Sequence, residues 1–229
     1  MKLKHVKLFC AQLDQLKYFY GEKFNFPVEE QGREEVSFRL GDSKLTFIET
    51  RLNNPYYHFA FNIPYYQVED ALQWAKKRVD ILTYQKKEVQ EFPEWKARAF
   101  YFRDPSGNIV EFIGRERLEG QGREPFSEKS IWNISEIGLP VFQVSSAVKM
   151  LQENTDVPQF DCSDNVFCAC GDDEGLFIVV DKAEKQWFPT AEPARSFPLT
   201  VHFSQGENDY HLELRPGDSF QISKAGEND

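Results

Sequence analysis

The sequence predicts an α+β protein assembled from repeated βαβββ units. Short apolar strands with one amphipathic helical segment among them recur in the same order along the chain. His5 and His58 take the same place in two successive first strands, and Glu111 follows His58 at the interval that separates the two histidines. A fixed recurrence of this kind identifies the building block before any single element does.

The first unit opens with a strand over Leu3 to Cys10, an apolar run punctuated by His5 and Lys7. Leu13, Leu16, Phe19 and Tyr20 then recur at helical spacing, with Asp14 in the first turn. Three strands follow, Val28 to Glu30, Val36 to Leu40 and Lys44 to Thr50, separated by Gly32 and by the Gly41-Asp42 turn. The second unit repeats this order. Its first strand is His58 to Ile63, and its helix carries a stripe of Val68, Ala71, Leu72, Ala75 and Val79. Acids stand early in that helix and bases late, as the helix dipole favours. Val79 to Tyr84, Ala99 to Arg103 and Asn108 to Gly114 complete it, the last two joined by the turn Asp104-Pro105-Ser106-Gly107.

Residues 116–129 are charged and glycine-containing, and read as a linker. A third unit begins with a strand over Ile134 to Phe142 and a helix over Val144 to Asn154 that Ser145 or Ser146 could cap. A strand pair, Asn165 to Cys170 and Gly175 to Asp181, turns at residues 171–174. Leu199 to Ser204, Tyr210 to Leu214 and Phe220 to Ser223 are short strands without a second helix. The expected organisation is therefore a complete two-unit domain over 1–115 holding the site, the linker, and a worn copy over 130–225 that lacks metal ligands.

Composition narrows the function classes. In 229 residues, 27 Lys and Arg face 37 Asp and Glu, a net charge of −10 that disfavours nucleic acid or an anionic membrane as the main partner. The apolar fraction of 41% supports a packed core. No run is long and apolar enough for a membrane helix, and charges interrupt the first residues where a signal peptide would be apolar, so a cytoplasmic protein is expected. Four cysteines are too few for a disulfide framework. Cys168 and Cys170, two apart in a strand, read as small core residues on one face.

The chemistry concentrates on three residues. A strand period of two places Ile109, Glu111 and Ile113 on one face, where a carboxylate is costly unless paired or bound to a cation. With His5 and His58, Glu111 makes a two-His, one-carboxylate set suited to iron or zinc with open positions. Spacing alone equally allows two strand-start histidines and a solvated glutamate. By parity Lys7 shares a face with His5, and Asn62 with His58, while Tyr101 lies on the strand beside Glu111. Lys7, Asn62 and Trp95 are candidate substrate contacts and Tyr101 the candidate catalytic hydroxyl.

These residues, with the stretch Tyr101-Phe102-Arg103-Asp104-Pro105-Ser106-Gly107-Asn108-Ile109-Val110-Glu111, resemble the vicinal oxygen chelate superfamily of glyoxalases, bleomycin-resistance proteins and extradiol dioxygenases. The resemblance covers residues 1–115 and, more weakly, the third unit. It implies that paired units form cupped mixed β-sheets and that His5, His58 and Glu111 hold a divalent ion, Fe, Mn, Zn or Ni. It also implies a small-molecule substrate with adjacent oxygens, acted on by a lyase, an isomerase or a ring-cleavage dioxygenase. Non-catalytic binding of an antibiotic or other small molecule is the alternative. Thr46, rather than Glu49, falls in the register of the fourth ligand that some members use. Phe92-Pro93-Glu94 stands where the dioxygenase signature has its acid–base histidine. Cups in this superfamily are completed by a tandem domain or by another chain, so a homodimer is one arrangement that the resemblance allows.

Overall fold

The computed structural model describes residues 1–51, 54–118, 124–163, 165–215 and 220–226. In the first unit, β1 (Lys2–Cys10) leads to α1 (Leu13–Leu16), which widens into a π-helical segment at Lys17–Lys23. β2 (Val28–Gln31), β3 (Glu35–Leu40) and β4 (Ser43–Glu49) follow. The second unit comprises β5 (His58–Ile63), α2 (Val68–Lys76), β6 (Ile81–Leu82), β7 (Gln90–Phe92), β8 (Ala97–Arg103) and β9 (Ile109–Arg115). The third has β10 (Asn133–Val141), α3 (Val144–Thr155), β11 (Gln159–Ser163), β12 (Phe167–Asp172) and β13 (Gly175–Asp181). A small hairpin of β14 (Gln186–Trp187) and β15 (Glu192–Pro193) precedes the final meander, β16 (Leu199–Gln205), β17 (Asn208–Leu214) and β18 (Phe220–Lys224).

Each unit closes in the same way, its first strand lying parallel to its last. β1 pairs with β4, β5 with β9 and β10 with β13. The register repeats too: His5 stands opposite Lys44, His58 opposite Ile109 and Glu136 opposite Leu176. Parallel closure requires a crossover, which the helix of each unit supplies.

The pairing between units corrects the expected domain division. β1 does not pair with β5. Instead β5 runs antiparallel to β10, and β1 antiparallel to β16, so the second unit is joined to the third and the first to the terminal meander. Among the described residues one 16-stranded mixed sheet results, bent into two cups, with β1 and β10 meeting at Leu3 and Ile134. Residues 1–115 therefore do not close a cup by themselves. Repeats in a sequence reveal the units, but which first strands become neighbours is a long-range choice that local pattern does not encode.

Strand parity divides the apolar residues into two sets. Phe59, Phe61, Phe100, Phe102, Val110 and Phe112 point to the large core beneath the helices. Ala60, Ala97, Ala99, Ala169, Ile113 and Ile178 lie on the other face, inside the cup of units two and three. Small side chains on that face leave room for a cavity, whereas the phenylalanines fill the core side to close packing.

Of the expected linker, residues 119–123 lie outside the described residues. Beyond them Phe126 is buried against Trp74 and Phe112, and a capping box at Ser127 opens a short 3₁₀ turn over Glu128–Ser130. This part of the segment is packed onto the fold. Two further expectations change. α3 has Gln143 at its N-cap without a side-chain cap, and Ser146 donates instead to the Gln143 side chain. Cys168 is disulfide-bonded to Cys162, its registered neighbour across β11 and β12, while Cys10 and Cys170 are free and buried.

Candidate metal centre in the cup of units two and three

His58, on β5, is buried at the floor of this cup. Its Nδ1 lies 3.1 Å from the carbonyl oxygen of Ile109, the geometry of an Nδ1–H donor, and its Nε2 faces the cup. That Nε2 is 3.5 Å from Glu111 Oε2 and 3.8 Å from Glu136 Oε2. Ligand atoms of the three residues all lie within 4.8 Å of one another, and all three side chains are buried.

Each carboxylate has one oxygen committed away from this meeting point. The Tyr101 hydroxyl donates to Glu111 Oε1 at 2.9 Å. Arg115, fully buried at the end of β9, donates to Glu136 Oε1, and the Trp95 ring lies 5.4 Å from the guanidinium. The remaining oxygens of both carboxylates face His58 Nε2. Such partners fix the orientation of ligands and are what a metal site requires around it.

The electrostatics ask for a cation at the centre. Burial and the neighbouring Glu136 push the Glu111 carboxyl up to about 8. Burial alone would lower the His58 imidazole, but Glu136 and Glu111 outweigh it and hold the ring above its ordinary value. Two buried carboxylates facing one point call for positive charge among them, which a proton on the His58 ring supplies and which a divalent ion would supply in its place. One imidazole and two carboxylates match a divalent ion of the zinc, manganese or iron type, so the residues fit the group.

The repeat explains the composition of the set. His58 and Glu136 occupy equivalent places on the first strands of units two and three. Glu111 lies two residues beyond the partner of His58, and the matching place beyond Leu176 is Ile178. The cup thus offers four equivalent positions, three with ligand atoms and one apolar.

Above this floor is a cavity of about 300 Å³. Its walls include Phe92, Trp95, Tyr101, Phe167, Trp187 and Phe188. Trp187, brought in by β14, lies with its ring centroid 5.1 Å from that of His58. Gly138, next to Glu136 on the cup face of β10, makes room for it: a Cβ there would fall 2.4 Å from the Trp187 ring.

Of the residues singled out in the sequence, His58, Glu111, Tyr101 and Trp95 line this cavity. Trp95 donates its indole N–H to Asp161 at 2.7 Å. His5 is not among them. It lies in the other cup, 2.8 Å from Thr46 Oγ1 through Nε2 and with its ring 5.7 Å from that of His202, because β1 pairs with β16 rather than β5. Lys7 lies two residues along β1 from His5, opposite Thr46 and Thr200. Asn62 does not line this cavity; it is fully buried and ties β5 to Asn133 and to the backbone of the β12–β13 turn. Glu136 was the residue sequence reasoning missed. The available signal was a carboxylate in an otherwise apolar first strand, at the place His5 and His58 take in theirs.

The match to known proteins follows the same fold. The Glyoxalase/Bleomycin resistance protein/Dioxygenase superfamily model covers residues 2–112. Over these residues the chain is similar to that superfamily. A candidate dioxygenase from Bacillus subtilis subsp. subtilis strain 168 aligns over 98% of this chain and 84% of its own at a TM-score of 0.66 and 11% identity, a likeness of fold across all the units. Lactoylglutathione lyase from Agrobacterium tumefaciens aligns over 49% of this chain and 92% of its own, with 20% identity and a TM-score of 0.41. The fosfomycin resistance protein FosX from Mesorhizobium loti aligns over 50% and 91%, at 17% and 0.37. No curated protein sequence matches the chain. No helix among the described residues is long and apolar enough to cross a membrane.

Proposed function

We propose that the chain is a metal-dependent enzyme acting on a small molecule with adjacent oxygen atoms, its divalent ion held by His58, Glu111 and Glu136. The observation that carries this reading is the convergence of one imidazole and two carboxylates, all buried, within 4.8 Å at the floor of an aromatic cavity. A divalent ion bound there supplies Lewis acidity toward an oxygen ligand.

The chain's own groups divide the remaining work. Tyr101 orients Glu111 through its hydroxyl and Arg115 orients Glu136, so both carboxylates present one oxygen toward His58. Burial and the Glu111 and Glu136 carboxylates keep the Tyr101 phenol well above its ordinary value, so it stays a donor at neutral pH. The aromatic walls and the burial of the three side chains lower the dielectric around the floor, which strengthens the electrostatic contacts there. A non-catalytic ligand-binding protein is the second reading, favoured by the predominance of rings around the cavity.

Metal analysis of the purified full-length chain tests the proposal. One equivalent of a divalent ion is expected, lost in His58→Ala and retained in His5→Ala. No stoichiometric ion in the wild-type chain after incubation with Mn, Fe, Zn and Ni in turn would overturn it. Ligand binding without turnover in the metal-loaded chain would favour the second reading.

A further inference from the structure

We propose that the cup selects a flat, ring-bearing anion, with Lys185 as the residue that recognises its negative group. The inference deepens the reading given above, because it names the class of molecule that the same cavity takes.

Lys185 is half-buried and, among the described residues, is the single lysine or arginine lining the cavity. In a chain where acids outnumber bases, the other cations around the cup have carboxylates: Arg115 has Glu136, Arg103 has Glu192 and Arg117 has Asp173. Among the described residues no carboxylate lies within salt-bridge distance of the Lys185 ammonium. It rests instead over the face of Phe167, 5.4 Å from the ring centroid. Asp161, which also lines the cavity, accepts the Trp95 indole N–H through Oδ2. The backbone on both sides of Lys185 is held, its N–H donating to Asp181 O at 2.9 Å and its carbonyl accepting from Ala194 at 3.0 Å. A half-buried, positioned cation without a counter-charge is a recognition element for an anionic ligand group.

The walls give the rest of the ligand its shape. Rings on several sides and branched aliphatic residues between them favour a planar conjugated body that stacks, over a flexible polar chain. The carboxylates lie at the floor around His58, so a ligand whose negative group meets Lys185 keeps that charge away from Glu111 and Glu136.

Binding by the full-length chain, read by quenching of tryptophan fluorescence and by calorimetry, tests this with three probes. They are 3,4-dihydroxybenzoate, its uncharged methyl ester, and glycerate as an aliphatic anion with adjacent oxygens. The acid is expected to bind about tenfold more tightly than its ester, the scale of one charge-assisted contact. That ratio is expected to fall to about one in Lys185→Gln and to return in Lys185→Arg, while glycerate binds weakest throughout. Equal affinity for acid and ester in the wild-type chain, a preference that survives in Lys185→Gln, glycerate binding as tightly as the ring acid, or no binding of any probe would each overturn the proposal. The ratios are taken on both metal-free and metal-loaded protein. A chain that prefers the ring acid but binds no divalent ion overturns the proposed function alone, and one that binds the ion without preference overturns this inference alone.

Discussion

The carboxylate of Glu136 stands 3.8 Å from the imidazole Nε2 of His58, although the two residues open different units of the repeat. Their strands, β10 and β5, run antiparallel, with Glu136 opposite Ala60, so the pairing of units two and three is what assembles the candidate centre. A metal site divided between two units makes metal binding a report on their association.

That division gives the first prediction. Glu136→Gln keeps the shape of the side chain but removes its charge, and is expected to weaken divalent metal binding at least about a hundredfold, at the upper end of what orienting partners alone contribute. His5→Ala is expected to leave it unchanged. Competition against a chromophoric chelator measures both. The opposite pattern, loss in His5→Ala and none in Glu136→Gln, would return the site to the set implied by family resemblance.

Arg115 offers a test of the support behind the ligand. It is fully buried, its guanidinium pairs with Glu136, and the Asp173 carboxylate is 3.9 Å away. Arg115→Met removes one partner of a buried ion pair and leaves a carboxylate uncompensated. It is expected to lower stability by roughly 3–5 kcal/mol in urea unfolding of the metal-free chain. Added divalent ion should recover part of this loss, because it supplies the missing positive charge.

Much of this was legible in the sequence. The two βαβββ units of the first half and the start of a third, the helix stripe of Val68, Ala71, Leu72 and Ala75, and the inward face of Glu111 between Ile109 and Ile113 all follow from period and burial cost, whereas the polar strand β11 (Gln159–Ser163) carries no such signal. What was not legible is which first strands become neighbours. His5 and His58 look equivalent in sequence because they are equivalent within their units. They part company because β1 joins the terminal meander while β5 joins β10. Trp187 and Lys185 were missed for a related reason: they come from a connection after the third unit, and nothing local indicates that it folds back over the cup.

The other cup allows a test that is independent of any metal. Burial, then Lys7, Lys44 and His202, lower the His5 imidazole from 6.5 to about 4, and Glu29 offsets only part of this. The folded chain therefore binds this proton less readily than the unfolded chain. The resulting contribution to stability is fully present above about 6.5 and is lost as pH falls through 4. Ring proton shifts of His5 in NMR are expected to titrate near 4. His5→Gln should flatten the pH dependence of unfolding between those values. A His5 midpoint near 6.5 would show that the ring is solvated and that the packing of β1 against β4 and β16 is looser than described.

Gly138 tests the shape of the cup. A Cβ at this position would lie 2.4 Å and 2.8 Å from two atoms of the Trp187 ring and 3.3 Å from the carbonyl oxygen of His58. The neighbour that must yield is a rigid indole wedged between β10 and the His58 ring, not the end of a flexible side chain. Gly138→Ala is therefore expected to displace Trp187, at an overpacking cost of about 1–3 kcal/mol in urea unfolding. The displaced ring should change the tryptophan emission and move a wall of the ligand cavity, while metal binding by His58, Glu111 and Glu136 is altered far less than in Glu136→Gln. If Gly138→Ala leaves emission, stability and ligand affinity at wild-type values, the close approach of Trp187 to β10 is wrong, and with it the description of that wall.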